Sequence, residues 1–284
     1  MKDFENKVAV ITGAASGIGR AIAIRCIKEG MKVVLADVEE TALRATETEL
    51  KAQSQHILAV VTDVSKPNEV DALCKKTIEE FGAVHLLFNN AGVATGHSIW
   101  ESTLADWDWV INVNLRGLIH GIRTFVPVML GQKEACHIVN TASVAGLVSG
   151  AFGGIYAMSK HAVVSISETL FHELKFVESA IGVSVLCPGF VSTKIFESFR
   201  NRPAELANSP STVPLTAAQQ AGREQFRKQI DNGMSPDQVA DVVFAAIREE
   251  KFYIITHPES RGSIRERAED IIAERNPRLS PMWE

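Results

Sequence analysis

Seven short apolar segments recur along this chain, separated by longer stretches in which apolar residues follow helical spacing. The segments are rich in valine, isoleucine and leucine, and they span residues 8–11, 33–36, 57–61, 86–88, 137–140, 183–187 and 252–255. Strands that alternate with helices pair in parallel, and a sheet covered by helices on both faces requires strands that are apolar throughout. The pattern therefore predicts a doubly wound α/β fold with one parallel seven-stranded sheet and helices on both faces.

No proline- or serine-rich linker and no internal repeat separates the two halves of the chain, which predicts a single domain over residues 1–284. Residues 198–216 depart from the rhythm, with prolines among Asn, Ser and Thr. Long loops of this kind are often lids, so we assign a lid over a binding site to about residues 190–232, with a surface insertion without function as the alternative. Residues 260–284 are expected to form a C-terminal helical extension.

The composition, 46% hydrophobic and 22% charged, is that of a globular protein. A net charge of −5 provides no general attraction to nucleic acid or to an acidic membrane, so neither is an expected partner. No apolar run approaches the roughly 18 residues that span a bilayer, and the charged N-terminus lacks the features of a signal peptide. The cysteines form no CxxC pair and the histidines no metal spacing, so we expect no metal site and a reducing, cytoplasmic location.

A glycine-containing loop, TGAASGIG at residues 12–19, connects the first predicted strand to the first predicted helix. Backbone N–H groups at a helix start bind anions, and glycine lets the backbone approach a pyrophosphate closely. The spacing is GxxxGxG rather than the commoner GxGxxG, and a tight turn without a ligand is the alternative. In a fold of the Rossmann type, the expected contacts to a dinucleotide here are Gly13, Ser16, Gly17, Ile18 and Gly19.

Asp37 lies twenty residues after Gly17, at the end of the second predicted strand. An acid at this place accepts hydrogen bonds from the adenosine ribose hydroxyls and repels a 2′-phosphate. The alternative is a capping box in which Asp37 and Glu40 close the N-terminus of the next helix. No basic residue lies in the loop or directly after Asp37 to hold a 2′-phosphate, so the sequence favours NAD over NADP as the cofactor.

Further motifs follow in one order along residues 8 to about 195, and together they resemble the short-chain dehydrogenase/reductase family in its single-domain subgroup. Besides the loop at 12–19, the motifs are Asp63-Val64, Asn89-Asn90-Ala91-Gly92, Asn112-Val113-Asn114, Ser143, Tyr156-Ala157-Met158-Ser159-Lys160, and Pro188-Gly189 with Thr193. The resemblance implies an oxidoreductase that transfers a hydride between an alcohol and a nicotinamide. It also implies a homodimer or homotetramer paired through the helix of Tyr156 and its neighbour at residues 104–129.

Tyr156 is the candidate general acid/base. Oxidation of an alcohol requires a base for the hydroxyl proton, and free tyrosine, with a pKa near 10, is too weakly acidic for this task at neutral pH. Lys160 lies one helical turn further on the same face, where its ammonium is expected to lower the pKa of the phenol. The resemblance adds a hydrogen bond from Lys160 to the nicotinamide ribose.

Ser143 and Asn114 complete a candidate catalytic tetrad. The family uses a serine at the first position to hydrogen-bond the substrate oxygen, and an asparagine at the second to hold a water that links the lysine to solvent. The alternatives are ordinary structural roles: a helix or turn cap for the serine, and a backbone bond for the asparagine.

The remaining cofactor contacts are also implied by the resemblance. Asp63 would bond the adenine amino group with Val64 packed beside it, although helix capping before Pro67 is an alternative for Asp63. The segment Asn90, Ala91 and Gly92 would approach the adenosine ribose, or serve only to brace the sheet. The segment that would orient the nicotinamide carboxamide contains Pro188, Gly189, Val191 and Thr193.

Positions expected to face the nicotinamide are mostly apolar, and they are Val144, Ala145, Phe152, Phe190, Ile195, Phe196 and Phe199. An apolar wall with few polar groups suits a hydrophobic secondary alcohol or its ketone, although Phe196 and Phe199 also have the spacing of core residues. The sequence thus favours an NAD-dependent alcohol dehydrogenase. The alternatives are an NADPH-dependent ketone or 3-oxoacyl reductase and a non-catalytic NAD-sensing protein on the same fold.

Overall fold

The structure is a computed structural model that describes residues 1–96, 98–208 and 217–278. Its strands are β1 (Val8–Thr12), β2 (Lys32–Asp37), β3 (Ile57–Val61), β4 (Leu86–Asn89), β5 (Cys136–Thr141), β6 (Ile181–Cys187) and β7 (Tyr253–Ile255). All are parallel and form one sheet in the order β3-β2-β1-β4-β5-β6-β7. The predicted doubly wound α/β fold is therefore confirmed.

The helices of the described residues connect successive strands, except for the last helix, which follows β7. They are α1 (Gly17–Lys28), α2 (Glu40–Lys51), α3 (Pro67–Phe81), α4 (Leu104–Ile111), α5 (Gly117–Gln132), α6 (Gly154–Phe176), α7 (Ala217–Asp231), α8 (Pro236–Arg248) and α9 (Arg261–Ile272). A π-helical segment, Asn112–Arg116, lies between α4 and α5. The helix α9 begins the predicted C-terminal extension, of which residues 279–284 lie outside the described part of the chain.

Alternate residues of each central strand enter two different apolar cores, as a sheet buried on both faces requires. In β1, Ala9 and Ile11 pack with residues of α1, α2 and α8. Val8 and Val10 point to the other face and pack with residues of α3, α5 and α6. The continuous apolar character of the strands thus has a direct cause in the two helical layers.

The strand β1 lies at the point where the order of the sheet reverses. Val10 is paired with Val34 of β2 on one side and with Leu87 of β4 on the other. The chain runs from β1 to β2 on one side of this point and from β4 to β5 on the other. The two connections therefore diverge, which opens a crevice above the carboxyl ends of β1 and β4. In open α/β sheets, ligands bind in this crevice.

Three further findings bear on the sequence expectations. Within the described ranges, no helix has both the length and the apolar character needed to cross a bilayer. The four cysteines are buried free thiols. Among the side chains that the structure describes, no group of three or more His, Cys, Asp and Glu residues is arranged to hold a metal ion.

Candidate functional site

The loop between β1 and α1 has the geometry of a cradle for an anion. Gly13 and Gly17 have φ values of +66° and +54°, a region that side-chain-bearing residues rarely adopt. A Cβ on Gly19 would lie 2.1 Å from the carbonyl oxygen of Gly13, so only glycine fits there. Ser16 is the N-cap of α1, its side chain makes no capping bond, and Ile18 packs against the core behind the loop. The start of α1 is thus presented to the crevice by the backbone alone.

Asp37, at the end of β2, is bound to the same loop. Its Oδ2 accepts a hydrogen bond from the N–H of Ala15 at 3.0 Å, and its Oδ1 accepts one from the N–H of Glu39 at 3.0 Å. The capping box with Glu40 is not formed, because the N-cap of α2 is Glu39 and it has no side-chain cap. Burial raises the pKa of Asp37, although the backbone N–H groups act in the opposite direction. Each carboxylate oxygen retains lone pairs for further donors, such as ribose hydroxyls.

The segment after β4 links this loop to the opposite side of the crevice. The N–H groups of Asn90 and Ala91 donate to Oγ1 of Thr12 at 2.9 and 3.1 Å, and Nδ2 of Asn90 donates to the carbonyl oxygen of Thr12 at 3.0 Å. A Cβ on Gly92 would lie 3.4 Å from Nζ of Lys160 and 3.5 Å from Oδ1 of Asn114. Residues 90–92 therefore lie between the loop at residues 12–19, called the phosphate-type loop below, and two members of the predicted tetrad.

Asp63 closes the turn after β3. Its Oδ1 accepts hydrogen bonds from the N–H and the hydroxyl of Ser65 at 3.0 and 2.7 Å, and its Oδ2 lies 3.6 Å from Nζ of Lys66. The N-cap of α3 is Lys66, so Asp63 does not cap this helix. Val64 packs closely on Gly117, where a Cβ would lie 2.7 Å from its Cγ2. The predicted adenine-binding residues thus lie at the carboxyl end of β3, next to the start of α5.

Asn114 lies in the π-helical segment, a distortion that is frequent at functional sites. The side chain is buried, with Oδ1 accepting from the N–H of Val93 at 2.8 Å. Its Nδ2 donates to the carbonyl oxygen of Val93 at 2.9 Å and to Oγ of Ser159 at 3.1 Å. Beside it is a cavity of about 10 Å³, the size that admits one water molecule, lined also by the polar residues Thr12 and Thr141.

Lys160 is buried, with 3% of its surface exposed, and its Nζ donates to the carbonyl oxygen of Thr141 at 2.9 Å. The same Nζ lies 5.5 Å from the centre of the Tyr156 ring, as expected for residues one turn apart on α6. Burial lowers the pKa of Lys160 to about 8. Removing an ammonium from water disfavours its charged form, and the single carbonyl partner does not compensate.

The expectation that the protein's own groups lower the pKa of Tyr156 is wrong. Burial raises the pKa of Tyr156 and is the dominant effect, whereas hydrogen bonding with Ser143 lowers it only in part. The reason is that a phenolate, like an ammonium, loses hydration inside the protein. Sequence reasoning counted the attraction between Tyr156 and Lys160 but not this loss.

Ser143 lies at the end of the loop after β5 in an extended conformation. Its Oγ accepts a hydrogen bond from the N–H of Ala145 at 3.1 Å and donates to the carbonyl oxygen of Pro188 at 3.3 Å. The serine therefore does cap a short helical turn, as the structural alternative proposed. The Ser143 side chain also hydrogen-bonds with Tyr156, so capping does not prevent contact with the candidate general acid/base.

The segment after β6 crosses the crevice from Ser143 toward the phosphate-type loop. The N–H of Gly189 donates to Nδ1 of His257 at 3.1 Å, and Val191 forms an isolated parallel bridge with Met234. The side-chain methyl of Thr193 lies 3.2 Å from the position of a Cβ on Gly17. Residues 188–193 thus run from the candidate serine to the start of α1.

The predicted apolar wall is divided in the structure. Val144 and Ala145 are buried, at 1% and 4% exposure, directly after Ser143. Phe152 is 62% exposed and has a φ of +62°, which is unfavourable for a bulky residue. It lies at the turn before α6, and Ile99 packs on the neighbouring Gly154.

The remaining wall residues lie in the segment that the sequence assigned to a lid. The rings of Phe190 and Phe196 both pack edge-on against Phe226 of α7, with ring centres 5.4 and 4.8 Å apart. Ile195 is half-buried, whereas Phe196 and Phe199 are 38% and 67% exposed. Neither of these phenylalanines is a core residue, so the structural alternative for them is wrong.

Sequence reasoning missed the residues that hold this segment in place. Arg202 forms an ion pair of 2.6 Å with Asp106, which is 1% exposed, and its guanidinium lies 5.1 Å from the ring centre of Trp109. The hydroxyl of Ser198 accepts from the N–H of Ala94 at 3.1 Å and donates to its carbonyl oxygen at 3.3 Å. The sequence separation is 96 positions for the Arg202 contact and 104 positions for the Ser198 contact, and no local pattern indicates either of them.

Comparison with known proteins agrees with this geometry. The family described as short chain dehydrogenase matches residues 7–204, which is more than half of the chain. The "CLA biosynthesis dehydrogenase/reductase" of Lactiplantibacillus plantarum is 36% identical over 277 residues, 98% of this chain and 97% of the relative. The "1-deoxy-11-beta-hydroxypentalenate dehydrogenase" of Streptomyces exfoliatus is 33% identical over 269 residues, covering 94% and 89% of the two chains.

A crystal structure of a short-chain dehydrogenase/reductase from Burkholderia phymatum, in complex with NAD, is similar throughout. It superimposes with a TM-score of 0.94 at 49% sequence identity, covering 99% of both chains. The fold, the order of the motifs and the relatives agree over nearly the whole length. The chain is a member of the short-chain dehydrogenase/reductase family of oxidoreductases.

Proposed function

We propose that this protein is an NAD-dependent oxidoreductase that transfers a hydride between a hydrophobic secondary alcohol, or its ketone, and the nicotinamide. The observation that carries the proposal is the arrangement of Ser143, Tyr156, Lys160 and Asn114 around the crevice, with residues 90–92 connecting them to the phosphate-type loop. A protein that only senses NAD has no chemical need for this combination.

The residues of the crevice fit a dinucleotide. The loop at 12–19 excludes side chains where a pyrophosphate must approach, since a Cβ on Gly19 would collide with the backbone of Gly13. Asp37 would hold the adenosine ribose hydroxyls, and its charge opposes a 2′-phosphate. The Burkholderia phymatum relative, which binds NAD, supports the same preference. When bound, NAD would supply the hydride acceptor and, in its oxidised form, a positive ring charge.

In this proposal, Tyr156 accepts the proton of the substrate hydroxyl at its phenolic oxygen. Lys160, with a pKa of about 8, carries its charge at neutral pH and lies 5.5 Å from the Tyr156 ring, so it favours the phenolate. The hydroxyl of Ser143 turns from the Pro188 carbonyl to the substrate oxygen and holds it next to Tyr156.

Asn114 would support the return of the proton to solvent. Its Nδ2 hydrogens are both used, but Oδ1 has a second lone pair and lies on the same side of Gly92 as Nζ of Lys160. A water bound to this oxygen could exchange protons with Lys160. We assign Asn114 the role of holding that water.

The substrate class follows from the apolar character of the positions around Ser143. Val144 and Ala145 provide a buried aliphatic base, and Phe190 and Phe196 provide aromatic surface in the segment opposite. The two curated relatives bear names of dehydrogenases, one of them acting on a hydroxypentalenate. A bulky secondary alcohol meets these requirements better than a charged sugar acid.

We further propose that residues 190–232, of which 209–216 lie outside the described part of the chain, act as the substrate lid of a single-domain subunit, in a homodimer or homotetramer. The contacts of Arg202 with Asp106 and of Ser198 with Ala94 support a lid whose base is fixed. Light scattering on a sizing column measures the assembly directly, and a monomer at micromolar concentration would contradict it.

The test is oxidation of 2-butanol, cyclohexanol and 1-phenylethanol with NAD, followed by NADH absorbance, with gluconate as the charged comparison. We expect activity that rises with the bulk of the alcohol and a loss of about 100-fold or more in Tyr156→Phe. The matched control is Tyr253→Phe, which alters the other tyrosine of the chain, whose hydroxyl donates to Glu168. Full activity in Tyr156→Phe, or a preference for gluconate, would contradict the proposal.

The cofactor preference is tested at Asp37. Removing two hydrogen bonds from the ribose hydroxyls to the carboxylate, each worth about 1.5–3 kcal/mol, is expected to raise the KM for NAD at least about 100-fold in Asp37→Ala. Because burial raises the pKa of Asp37, its charge is lost at a higher pH than that of an exposed Asp, so wild-type affinity for NAD should fall as the pH decreases through the acid range. An unchanged KM in the variant removes Asp37 from the site.

A further inference from the structure

The peptide bond between Pro188 and Gly189 is held from both sides. Its carbonyl oxygen accepts the N–H of Val144 at 2.9 Å and the hydroxyl of Ser143 at 3.3 Å. Its N–H donates to Nδ1 of His257 at 3.1 Å. One rigid peptide plane therefore connects His257 to the candidate catalytic serine, and a rotation of this plane moves the acceptor of the Ser143 hydroxyl.

The imidazole of His257 also explains why residue 189 is glycine. A Cβ on Gly189 would lie 2.7 Å from Cγ of His257, 2.9 Å from Nδ1 and 3.1 Å from Cδ2. The ring thus lies directly against the backbone, where no side chain fits. Contact and hydrogen bond act together to restrict the peptide.

His257 is itself fixed by its neighbours after β7. Because an amide N–H can only donate, Nδ1 is the unprotonated ring nitrogen, and Oγ1 of Thr256 lies 2.7 Å from it. The carbonyl oxygen of His257 accepts the N–H and the hydroxyl of Ser260 at 3.1 and 2.6 Å, in the turn that leads into α9. The start of the C-terminal extension is thereby connected to the crevice.

We propose that His257 is a positioning residue for the reaction: its Nδ1 holds the Pro188–Gly189 peptide, and the carbonyl oxygen of this peptide fixes the resting position from which the hydroxyl of Ser143 turns to the substrate oxygen. The inference rests on the proposed function. His257 acts through Ser143, so its loss should lower kcat by a larger factor than it weakens the binding of NADH.

Two replacements separate the hydrogen bond from the packing. His257→Asn places a side-chain oxygen near the position of Nδ1 and keeps an acceptor for Gly189, whereas His257→Leu fills similar space without one. We expect kcat for 1-phenylethanol within about three-fold of wild type in the first variant and at least about 10-fold lower in the second, because correct orientation contributes strongly to rate. The control is His56→Leu, an exposed histidine on the far side of β2, which should have no effect.

A measurement without substrate tests the same contact. Hydrogen–deuterium exchange of the peptide containing Gly189 should be faster in His257→Leu and unchanged in His257→Asn, at equal melting temperatures. Unaltered exchange and kcat in His257→Leu would overturn the inference while leaving the proposed function intact. Absence of wild-type turnover with every alcohol, despite NADH binding, would instead refute the proposed function and with it the role of His257 in catalysis.

The packing contact is tested by combining substitutions. Gly189→Ala introduces the Cβ that collides with the imidazole, and His257→Ala removes the ring. We expect Gly189→Ala to lower kcat at least about five-fold more in the wild-type background than in His257→Ala, because neighbouring residues are not additive. Equal losses in both backgrounds would show that His257 does not restrict this peptide.

Discussion

Replacing Lys160 with methionine should stabilise the fold at neutral pH while abolishing turnover. Burial lowers the pKa of Lys160 from 10.5 to about 8, and at about 1.36 kcal/mol per pKa unit the charged lysine destabilises the native state by about 3 kcal/mol. The variant loses the hydrogen bond to the Thr141 carbonyl, which contributes about 1 kcal/mol. The net expectation at pH 7 is a gain of about 2 kcal/mol in the free energy of unfolding.

The pH dependence gives the sharper test. Below pH 8 the lysine is charged in both the folded and the unfolded chain, so the whole penalty is present. Between pH 8 and 10.5 the unfolded chain binds more protons than the folded one, and wild-type stability therefore rises with pH relative to the variant. Above this range only the lost hydrogen bond remains, and the variant should be less stable by about 1 kcal/mol.

The assay is urea unfolding of wild type and Lys160→Met at pH 7, 8.5 and 10, at one protein concentration so that any assembly contributes equally. Lys76→Met, at an exposed position of α3, is the matched control and should follow wild type at each pH. The kcat of Lys160→Met should fall by about 100-fold or more. A variant that is less stable than wild type at pH 7, or a stability difference that does not change with pH, would refute the reasoning.

Three other substitutions test the crevice and the segment after β6. Gly19→Ala places a Cβ 2.1 Å from the Gly13 carbonyl oxygen, so NADH binding, measured by fluorescence, should weaken at least about 10-fold. Arg202→Met leaves the buried Asp106 carboxylate without its guanidinium and should cost about 3 kcal/mol of stability in urea unfolding, with a higher KM for the alcohol. Ser198→Ala removes both bonds to the loop after β4 and should raise the same KM by a few-fold without altering NADH affinity. Unchanged values in any of these would remove that contact from the argument.

Features that depend on local chemistry could be predicted from the sequence. The strands were recognisable because burial on two faces demands unbroken apolar runs, and the sheet contains all of them in place. The cap of α8 is equally local, since Ser235 and Gln238, three residues apart, form a reciprocal capping box with Pro236 at the first helical position. The positive φ of Gly13 and Gly17 likewise follows from a turn so tight that only glycine allows it.

Contacts between distant segments could not be predicted in this way. His257 accepts a hydrogen bond from Gly189, which lies 68 positions earlier in the sequence. A single histidine after a short edge strand gives no sign of this contact. Nothing in the sequence distinguishes Arg202 from the other arginines. Only the fold brings it over Trp109 and beside the almost fully buried carboxylate of Asp106. Such pairs depend on the packing of elements, which a pattern within one element does not encode.

Burial determines how far Lys160 can lower the pKa of Tyr156. Without a ligand, burial keeps the phenol protonated at neutral pH and lowers the pKa of Lys160 to about 8. Burial therefore disfavours the charged form of both groups. A further positive charge in the crevice would favour the phenolate and disfavour a charged Lys160. In the proposed function, an oxidised nicotinamide supplies that charge, and removal of the substrate proton is then coupled to cofactor occupancy. Burial of the pair is thus the feature that would prevent Tyr156 from losing its proton before the hydride acceptor is bound.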